Sequence, residues 1–234
     1  MIIAIHQPNY LPWLGYFYKM AKADLFILLD NVQYEVNGYV NRCRIKTSQD
    51  SCWLTLPVKR KFPQTITEAS LINYNKEKEK HIKTIILNYQ KAKYFDYLFP
   101  ELKGILEKNW ESLSDLNINL IKLLKEKLGI KTKIEIASDY KIFGKNTGLL
   151  IELCKKFKAN TYLSGMGAKK YQDEEKFNKD GIKLTYTNFD YSEYEQLWGN
   201  FIPGLSIIDL IFNHGPESLK ILLEFGNIGQ DKII

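Results

Sequence analysis

Short apolar runs separated by mixed stretches predict buried strands joined by helices in the first part of the chain. Residues 2–5 and 25–29 are fully apolar, which is typical of strands that are covered on both faces of a parallel sheet. Between them we expect a helix over residues 12–22, because proline at position 12 suits a first helical turn, where its missing N–H is not needed. These elements predict a βαβ unit.

The middle of the chain changes from strand-like runs to helical spacing. Runs at 40–46 and 52–58 flank the polar turn 48–51 and predict a β-hairpin. From about residue 76 to residue 128, apolar residues recur at helical spacing, and Ser114 is a candidate N-cap of the later helix. We expect this helical segment to form a subdomain over the sheet, within one α/β domain that spans residues 1–234.

The last third of the chain alternates strands with helices. Strands are predicted at 133–138, 161–165 and 182–187, and helices at 147–158 and 168–179. The predicted fold class is therefore α/β, a Rossmann-like, mostly parallel sheet with flanking helices, a β-hairpin insertion and a helical segment. Ligands of such sheets bind at the carboxyl ends of the strands, so we expect the loops 6–16 and 164–171 to meet at one edge.

Charge and length narrow the classes of function. The chain has a formal charge of +6, but its lysines are interleaved with acidic residues, whereas a nucleic-acid reader normally has a concentrated basic stripe. We therefore expect an anionic or sugar-like small-molecule ligand and no nucleic acid. No stretch has the roughly 20 apolar residues of a membrane span, and no leader pattern opens the chain, so a cytoplasmic location is expected.

Cysteines and histidines argue against two common kinds of site. The three cysteines include no C-x-x-C pair, and the three histidines are widely spaced, so we predict neither a disulfide framework nor a metal site. H-E-x-x-H and G-x-S-x-G motifs are also absent from the sequence. The pattern predicts neither a cofactor nor an oligomeric state.

The stretch IHQPNYLPWLGYF follows the first predicted strand and concentrates polar and aromatic side chains. His6 stands before a helix N-terminus, where backbone N–H groups and the helix dipole favour an anion. It is the candidate catalytic residue, as an acid, a base or a phosphate contact. Its neighbours Gln7, Asn9, Trp13 and Tyr16 are candidate substrate-binding residues. The alternative is a structural loop in which His6 bonds a neighbour and Trp13 fills the core.

The predicted hairpin and the stretch before it carry a second set of candidate ligand contacts. Gln33 and Asn41 supply amide groups, and Arg42 and Lys46 supply cations. An arginine fork matches a carboxylate or a phosphate with two hydrogen bonds. The structural alternative is a hairpin with one solvated face.

Two later stretches complete the candidate site. Ser164, Gly165 and Tyr171 lie where a strand opens towards a helix and backbone amides can approach an anion. A tight turn explains Gly165 and Gly167 equally well. Asp209 is a further candidate substrate-binding residue. It follows Ser206 by three residues, and this spacing equally fits a helix capping box with Ser206 as the cap.

In this order, the motifs HQPNYLPWLGYF, NR-x-RIK, WLTLPV, YLSG-x-GA-x-x-Y and LSIIDLIFNHG resemble the WbqC-like protein family over nearly the whole chain. The resemblance implies an association with surface-polysaccharide (O-antigen) and related sugar biosynthesis, and it leaves the reaction open. The motif positions in this chain are His6, Gln7, Pro8, Asn9, Pro12, Trp13, Gly15, Tyr16, Asn41, Arg42, Ile45, Lys46, Ser164, Gly165, Tyr171, Ser206 and Asp209. Cys43 stands where the family pattern has a second asparagine, which argues against Cys43 as a required nucleophile.

The leading hypothesis is a cytoplasmic transferase of surface-glycan or sugar biosynthesis that binds a phosphorylated or nucleotide-activated ligand through the HQPNYLPWLGY loop. In it, Arg42 and Lys46 neutralise the anion, Asn9 and Asn41 orient hydroxyl groups, and aromatic residues wall the pocket. Two alternatives stay open, an acyl or aminoacyl transferase acting on an amino sugar and a non-catalytic binding or scaffold protein of a glycan-synthesis complex. A weaker likeness to H-x-G-H nucleotidyltransferases lacks the second histidine.

Overall fold

The computed structural model describes residues 1–59 and 61–229, and a central sheet organises them. The strands of this sheet are β1 (Ile2–His6), β2 (Leu25–Leu28), β5 (Lys133–Ile136), β6 (Thr161–Gly165), β7 (Lys183–Phe189) and β8 (Gly226–Gly229). A separate antiparallel hairpin is formed by β3 (Arg42–Lys46) and β4 (Ser51–Thr55). Within the described residues the order of the sheet is β5-β2-β1-β6-β7-β8, and only β8 runs antiparallel to its neighbour.

This strand order confirms the predicted α/β class. Numbered among themselves, the six sheet strands of the described chain run 3-2-1-4-5-6, the doubly wound order of a Rossmann-like fold. The order reverses between β1 and β6, because the chain builds outwards from β1 first on one side and then on the other. A crevice is expected at such a reversal, outside the carboxyl ends of the two strands.

Helices cover both faces of the sheet. They are α1 (Leu14–Ala21), α2 (Tyr74–Tyr89), α3 (Phe95–Leu106), α4 (Leu113–Leu128), α5 (Asn146–Lys156), α6 (Glu174–Lys179), α7 (Ile207–His214) and α8 (Ser218–Glu224). Side chains of β1 alternate between two cores: Ile3 and Ile5 pack with α5 and α6, whereas Ala4 packs with the other helices. In the described ranges, no helix has both the length and the apolar character that a membrane span requires.

The predicted hairpin and helical segment are both present, with one correction. The segment consists of α2, α3 and α4, and its last helix is capped by Ser112 rather than by Ser114. The Ser112 hydroxyl accepts a hydrogen bond from the backbone N–H of Asp115 at 3.1 Å. Ser112 has the extended backbone of a cap, whereas Ser114 already lies buried inside the helix.

Two predicted helix boundaries are also wrong. The first helix begins at Leu14, not at Pro12, because the backbone of Leu11 has a positive φ of 41° and Trp13 is extended. The predicted helix over 168–179 is a 3₁₀ turn, Met166–Tyr171, followed by α6. Asp173 separates these two elements, since its carboxylate accepts from the backbone N–H of Lys176 and starts a new helix there.

Candidate functional site

A cleft of about 240 Å³ opens at the reversal point of the sheet, and we call it the switch-point cleft. The loops after β1 and β6 border it, so the structure brings together the two loops that were predicted to meet. The lining residues are His6, Trp13, Gly15, Tyr16, Lys19, Gly165, Met166, Gly167, Thr187, Asn188, Phe189 and Tyr191. Four of the predicted site residues, His6, Trp13, Tyr16 and Gly165, therefore converge on one cavity.

His6 is held at the end of β1 as a neutral imidazole. Its ring packs edge-on against Tyr16 and Trp13, with ring centroids 4.7 and 5.4 Å apart. Nδ1 lies 3.2 Å from the carbonyl oxygen of Gln7; since a carbonyl only accepts, Nδ1 carries the proton and Nε2 is left as a base. Burial, and secondly the charge of Lys19, place the pKa of His6 well below 6.5.

Lys19 is the main residue that the sequence analysis missed. Its side chain lies on α1 and lines the cleft, yet the residue is only 5% exposed. Nζ donates to the carbonyl oxygen of Ile5 at 3.1 Å, and among the described residues it has no carboxylate within ion-pair distance. Burial lowers the pKa of Lys19 to about 7. The available signal was a lysine inside the otherwise apolar run YFYKMA, three residues after Tyr16 and so on the same helix face.

Two glycines shape the cleft in different ways. A Cβ on Gly15 would lie 3.1 Å from Trp13 Nε1 and 3.2 Å from the ring of Phe189, so a larger residue there would have to shift these two rings by a few tenths of an ångström. A Cβ on Gly165 would meet no atom within 4 Å. The missing side chain of Gly165 therefore leaves free space in the cleft wall rather than relieving a clash.

The hairpin residues that were predicted to contact a ligand lie outside the switch-point cleft. Asn41 donates its amide to the carbonyl oxygen of Leu56 at 2.8 Å and so joins the hairpin to the following segment. The guanidinium of Arg42 lies 4.4 Å over the ring of Trp53, and Gln33 is exposed. The hairpin packs on α7 instead of on the sheet edge. Its polar side chains are therefore not part of the cleft lining next to His6.

The other predicted binding residues near the loops have local roles. Gln7 contributes its backbone carbonyl, which accepts from the Tyr16 hydroxyl at 3.3 Å, and Asn9 is buried outside the cleft lining. Ser164 accepts a hydrogen bond from the side chain of Gln172 at 2.8 Å. Tyr171 is 73% exposed and does not line the cleft.

Asp209 belongs to a buried network instead of a capping box. Its two carboxylate oxygens accept from the hydroxyls of Tyr89, at 2.9 Å, and Tyr194, at 2.8 Å. Ser206 does cap α7, since its hydroxyl accepts from the backbone N–H of Ile208. The backbone N–H of Ser206 donates to the hairpin, and the Asp209 side chain is engaged elsewhere. Burial raises the pKa of Asp209 to about 6, against the effect of both tyrosine hydrogen bonds.

Lys46 and Asp209 hold one segment of the chain, residues 190–204, which we call the strap. Lys46 Nζ donates to the side chain of Gln196 at 2.8 Å and to the carbonyl oxygen of Asn200. Tyr194, bound to Asp209, lies in the strap as well. The strap begins beside β7 and brings Tyr191 to the cleft lining. Lys46 and Asp209 thus contact the strap and not the cavity itself.

The mostly parallel, doubly wound sheet with a cleft at its reversal point defines an α/β protein with a Rossmann-like fold. The model of the WbqC-like protein family matches residues 7–221, so the chain belongs to this family. The chain is similar to "Uncharacterized protein Rv1507c" of Mycobacterium tuberculosis, with 40% identity over 220 residues that cover 92% of this chain and 95% of that protein. No solved structure shows a significant match to the chain.

Proposed function

We propose that this protein is a cytoplasmic transferase of surface-glycan or related sugar biosynthesis, and that its switch-point cleft binds the phosphate groups of a nucleotide-activated or otherwise phosphorylated donor. The observation that carries the proposal is Lys19, a buried lysine that has no carboxylate partner among the described residues and faces a cavity next to a neutral histidine. The resemblance to the WbqC-like family supports the setting in sugar biosynthesis.

The charges of the cleft favour an anion. Among the described residues, those that line the cleft include no aspartate or glutamate, while Lys19 supplies a cation. A buried cation without a counter-ion is costly, and a bound phosphate supplies the missing charge. Gly165, at the end of β6, leaves space in the cleft wall, so that a ligand can approach the backbone there.

The geometry of His6 supports a proton transfer. With its proton on Nδ1, His6 presents Nε2 as the base that takes a proton from an acceptor hydroxyl. The acceptor oxygen then forms its bond to the transferred group while the bond from that group to the donor phosphate breaks. The bonding electrons leave with the phosphate, whose added negative charge is stabilised by Lys19.

A binding experiment tests the proposal. Calorimetric titration with UDP-, GDP-, CDP- and dTDP-sugars, inorganic pyrophosphate and acetyl-CoA is compared between the wild type, Lys19→Met and the control Lys22→Met. Lys22 follows α1 but does not line the cleft. We expect at least one phosphorylated sugar donor to bind, with affinity about tenfold or more weaker in Lys19→Met and unchanged in Lys22→Met.

Three results would contradict the proposal. If none of the anionic probes binds, the cleft is not a donor site. If Lys19→Met binds the donor with the same affinity as the wild type, Lys19 does not anchor the phosphate. Binding of acetyl-CoA alone favours the acyl-transferase alternative.

A further inference from the structure

A row of aromatic rings leads from the switch-point cleft across the hairpin. Trp13 in the cleft wall contacts Tyr39, with ring centroids 5.0 Å apart, and Tyr39 contacts Trp53 at 6.0 Å. We call these three residues the aromatic row. At its far end the guanidinium of Arg42 lies 4.4 Å over the Trp53 ring. The row is continuous with the cavity, because Trp13 also contacts His6 at 5.4 Å.

The outer two rings of the row are not part of the core. Tyr39 is 49% exposed and Trp53 is 44% exposed, whereas Leu54, the next residue on β4, is buried. Trp53 therefore stands on the solvent face of the hairpin. Single exposed aromatic residues are common, but a contiguous row that extends a cavity is typical of a binding surface.

We propose that the aromatic row binds the planar base of a nucleotide whose phosphate groups occupy the switch-point cleft. This inference rests on the proposed function and adds to it a site for the nucleoside part of the donor. Nucleobases stack on tryptophan and tyrosine rings, and an arginine guanidinium adds a cation that stacks on bases as well.

The polar groups around the row favour a base over a sugar chain. Sugar hydroxyls need paired donors and acceptors, but the Asn41 side chain is buried, and its NH2 group already donates to the carbonyl oxygen of Leu56. Two cations lie close to these rings: Arg42 lies on the row, and Arg44 lies close enough to Tyr191 to oppose the rise in the pKa of that tyrosine that burial causes. A ring with attached phosphates complements this combination of aromatic and cationic groups.

The test compares nucleoside diphosphates with inorganic pyrophosphate. UDP, GDP, CDP, ADP and pyrophosphate are titrated into the wild type, the double variant Tyr39→Ala/Trp53→Ala and the control Phe143→Ala, which removes an exposed ring outside the row and outside the cleft lining. We expect at least one nucleoside diphosphate to bind the wild type about tenfold more tightly than pyrophosphate. The double variant should lose that advantage and keep the affinity for pyrophosphate, and the control should match the wild type.

The single variant Trp53→Leu, on the solvent face of β4, replaces the double variant if the latter does not fold. It should lose part of the same advantage of nucleoside diphosphates over pyrophosphate.

Several outcomes would overturn the inference. Equal affinities for nucleoside diphosphates and pyrophosphate in the wild type would overturn it while leaving the phosphate site intact. Nucleotide binding that is unchanged in both row variants would overturn it as well. A neutral oligosaccharide such as maltohexaose that binds the row in place of nucleotides would assign the row to a sugar chain. Failure of every anion, pyrophosphate included, to bind the wild type would overturn the proposed function together with the inference.

Discussion

The ammonium group of Lys19 donates to the main-chain carbonyl oxygen of Ile5, 3.1 Å away, in the lining of the switch-point cleft. A carbonyl oxygen carries only a partial charge, so this contact orients the ammonium group without neutralising it. Within the described part of the chain, no carboxylate forms an ion pair with it. Under the proposed function, the donor phosphate supplies the negative charge that this ammonium group lacks in the free protein.

Replacing Lys19 should stabilise the protein while it removes binding. The pKa of Lys19 is lowered from 10.5 to about 7, so below pH 7 the folded protein bears the cost of a buried charge that the unfolded chain does not. We expect Lys19→Met to raise the free energy of unfolding at pH 6 by about 1–3 kcal/mol. The advantage should shrink as the pH rises from 7 towards 10.5, because the wild-type lysine is then neutral in the fold.

Urea denaturation of the two proteins at pH 6 and at pH 9.5 measures this effect, with Lys22→Met as the control. A lower stability of Lys19→Met at pH 6 would assign Lys19 a structural role.

His6 should remain neutral through the physiological pH range in the free protein. Burial and Lys19 depress its pKa well below 6.5, so the folded state binds fewer protons than the unfolded chain, and this contribution to stability is lost as the pH falls below 6.5. The ring nitrogen resonances of His6 should accordingly keep the shifts of a neutral imidazole between pH 6 and 8, even while Lys19 titrates nearby. A titration of the His6 ring with a midpoint near pH 6.5 would contradict the prediction that His6 is neutral.

The variant His6→Asn separates the catalytic role of His6 from a structural one. Its side-chain amide can still donate to the Gln7 carbonyl oxygen, but it offers no base in place of Nε2. We expect transferase turnover to be lost, nucleotide affinity to be retained and the melting temperature to stay within about 4 °C. A much larger loss of thermal stability would favour the structural interpretation of this loop.

The strap should depend on Tyr194 in a pH-dependent way. Tyr194→Phe leaves one oxygen of buried Asp209 without its donor, which costs about 1–3 kcal/mol. Because the pKa of Asp209 is raised to about 6, the carboxylate is charged above pH 6, and the loss should be larger at pH 7.5 than at pH 5. Denaturation of Tyr194→Phe and of the exposed control Tyr171→Phe at both pH values checks this. Equal losses of unfolding free energy at the two pH values would contradict a pKa of Asp209 between pH 5 and 7.5.

Gly165 should be dispensable for folding and necessary for binding. A Cβ there meets no protein atom, and the residue has an ordinary extended backbone with φ −89°, so Gly165→Ala should keep or slightly raise the free energy of unfolding, by about 0.5 kcal/mol. The added methyl group fills ligand space, so the affinity for nucleoside diphosphates should fall. In the contrasting variant Gly15→Ala, the added Cβ contacts Trp13 and Phe189, so the rings of the cleft wall should shift. Unchanged affinity in Gly165→Ala would place the ligand elsewhere.

The elements of the fold were predictable from the sequence, but their exact ends were less so. Apolar runs such as that of β2 and the helical spacing in α4 identify elements by their period, which is a local property. The positive φ of Leu11 and the second helix start at Asp173 depend on single backbone conformations, and these moved the predicted boundaries.

The candidate site was predictable where residues follow the strands of the sheet. His6 and Gly165 end neighbouring parallel strands, so their meeting follows from the fold class. The positions of Arg42 and Lys46 depend on how the hairpin packs, and the hydrogen bond from Ser206 N–H to the Arg44 carbonyl at 2.8 Å attaches it to α7. The role of Lys19 was not predictable, because a lysine in a helix is usually solvated. Its burial follows only from the packing of α1.

Proton uptake on ligand binding tests the central claim most directly. Calorimetry of nucleoside diphosphate binding at pH 8.5, in buffers of different ionisation enthalpy, counts the protons that are taken up when the phosphates are already ionised. Because free Lys19 has a pKa of about 7 and is then mostly neutral, a bound anion that requires the ammonium form should draw in close to one proton per ligand. Binding to the wild type without proton uptake, or the same uptake in Lys19→Met, would contradict the assignment of Lys19 as the anion anchor.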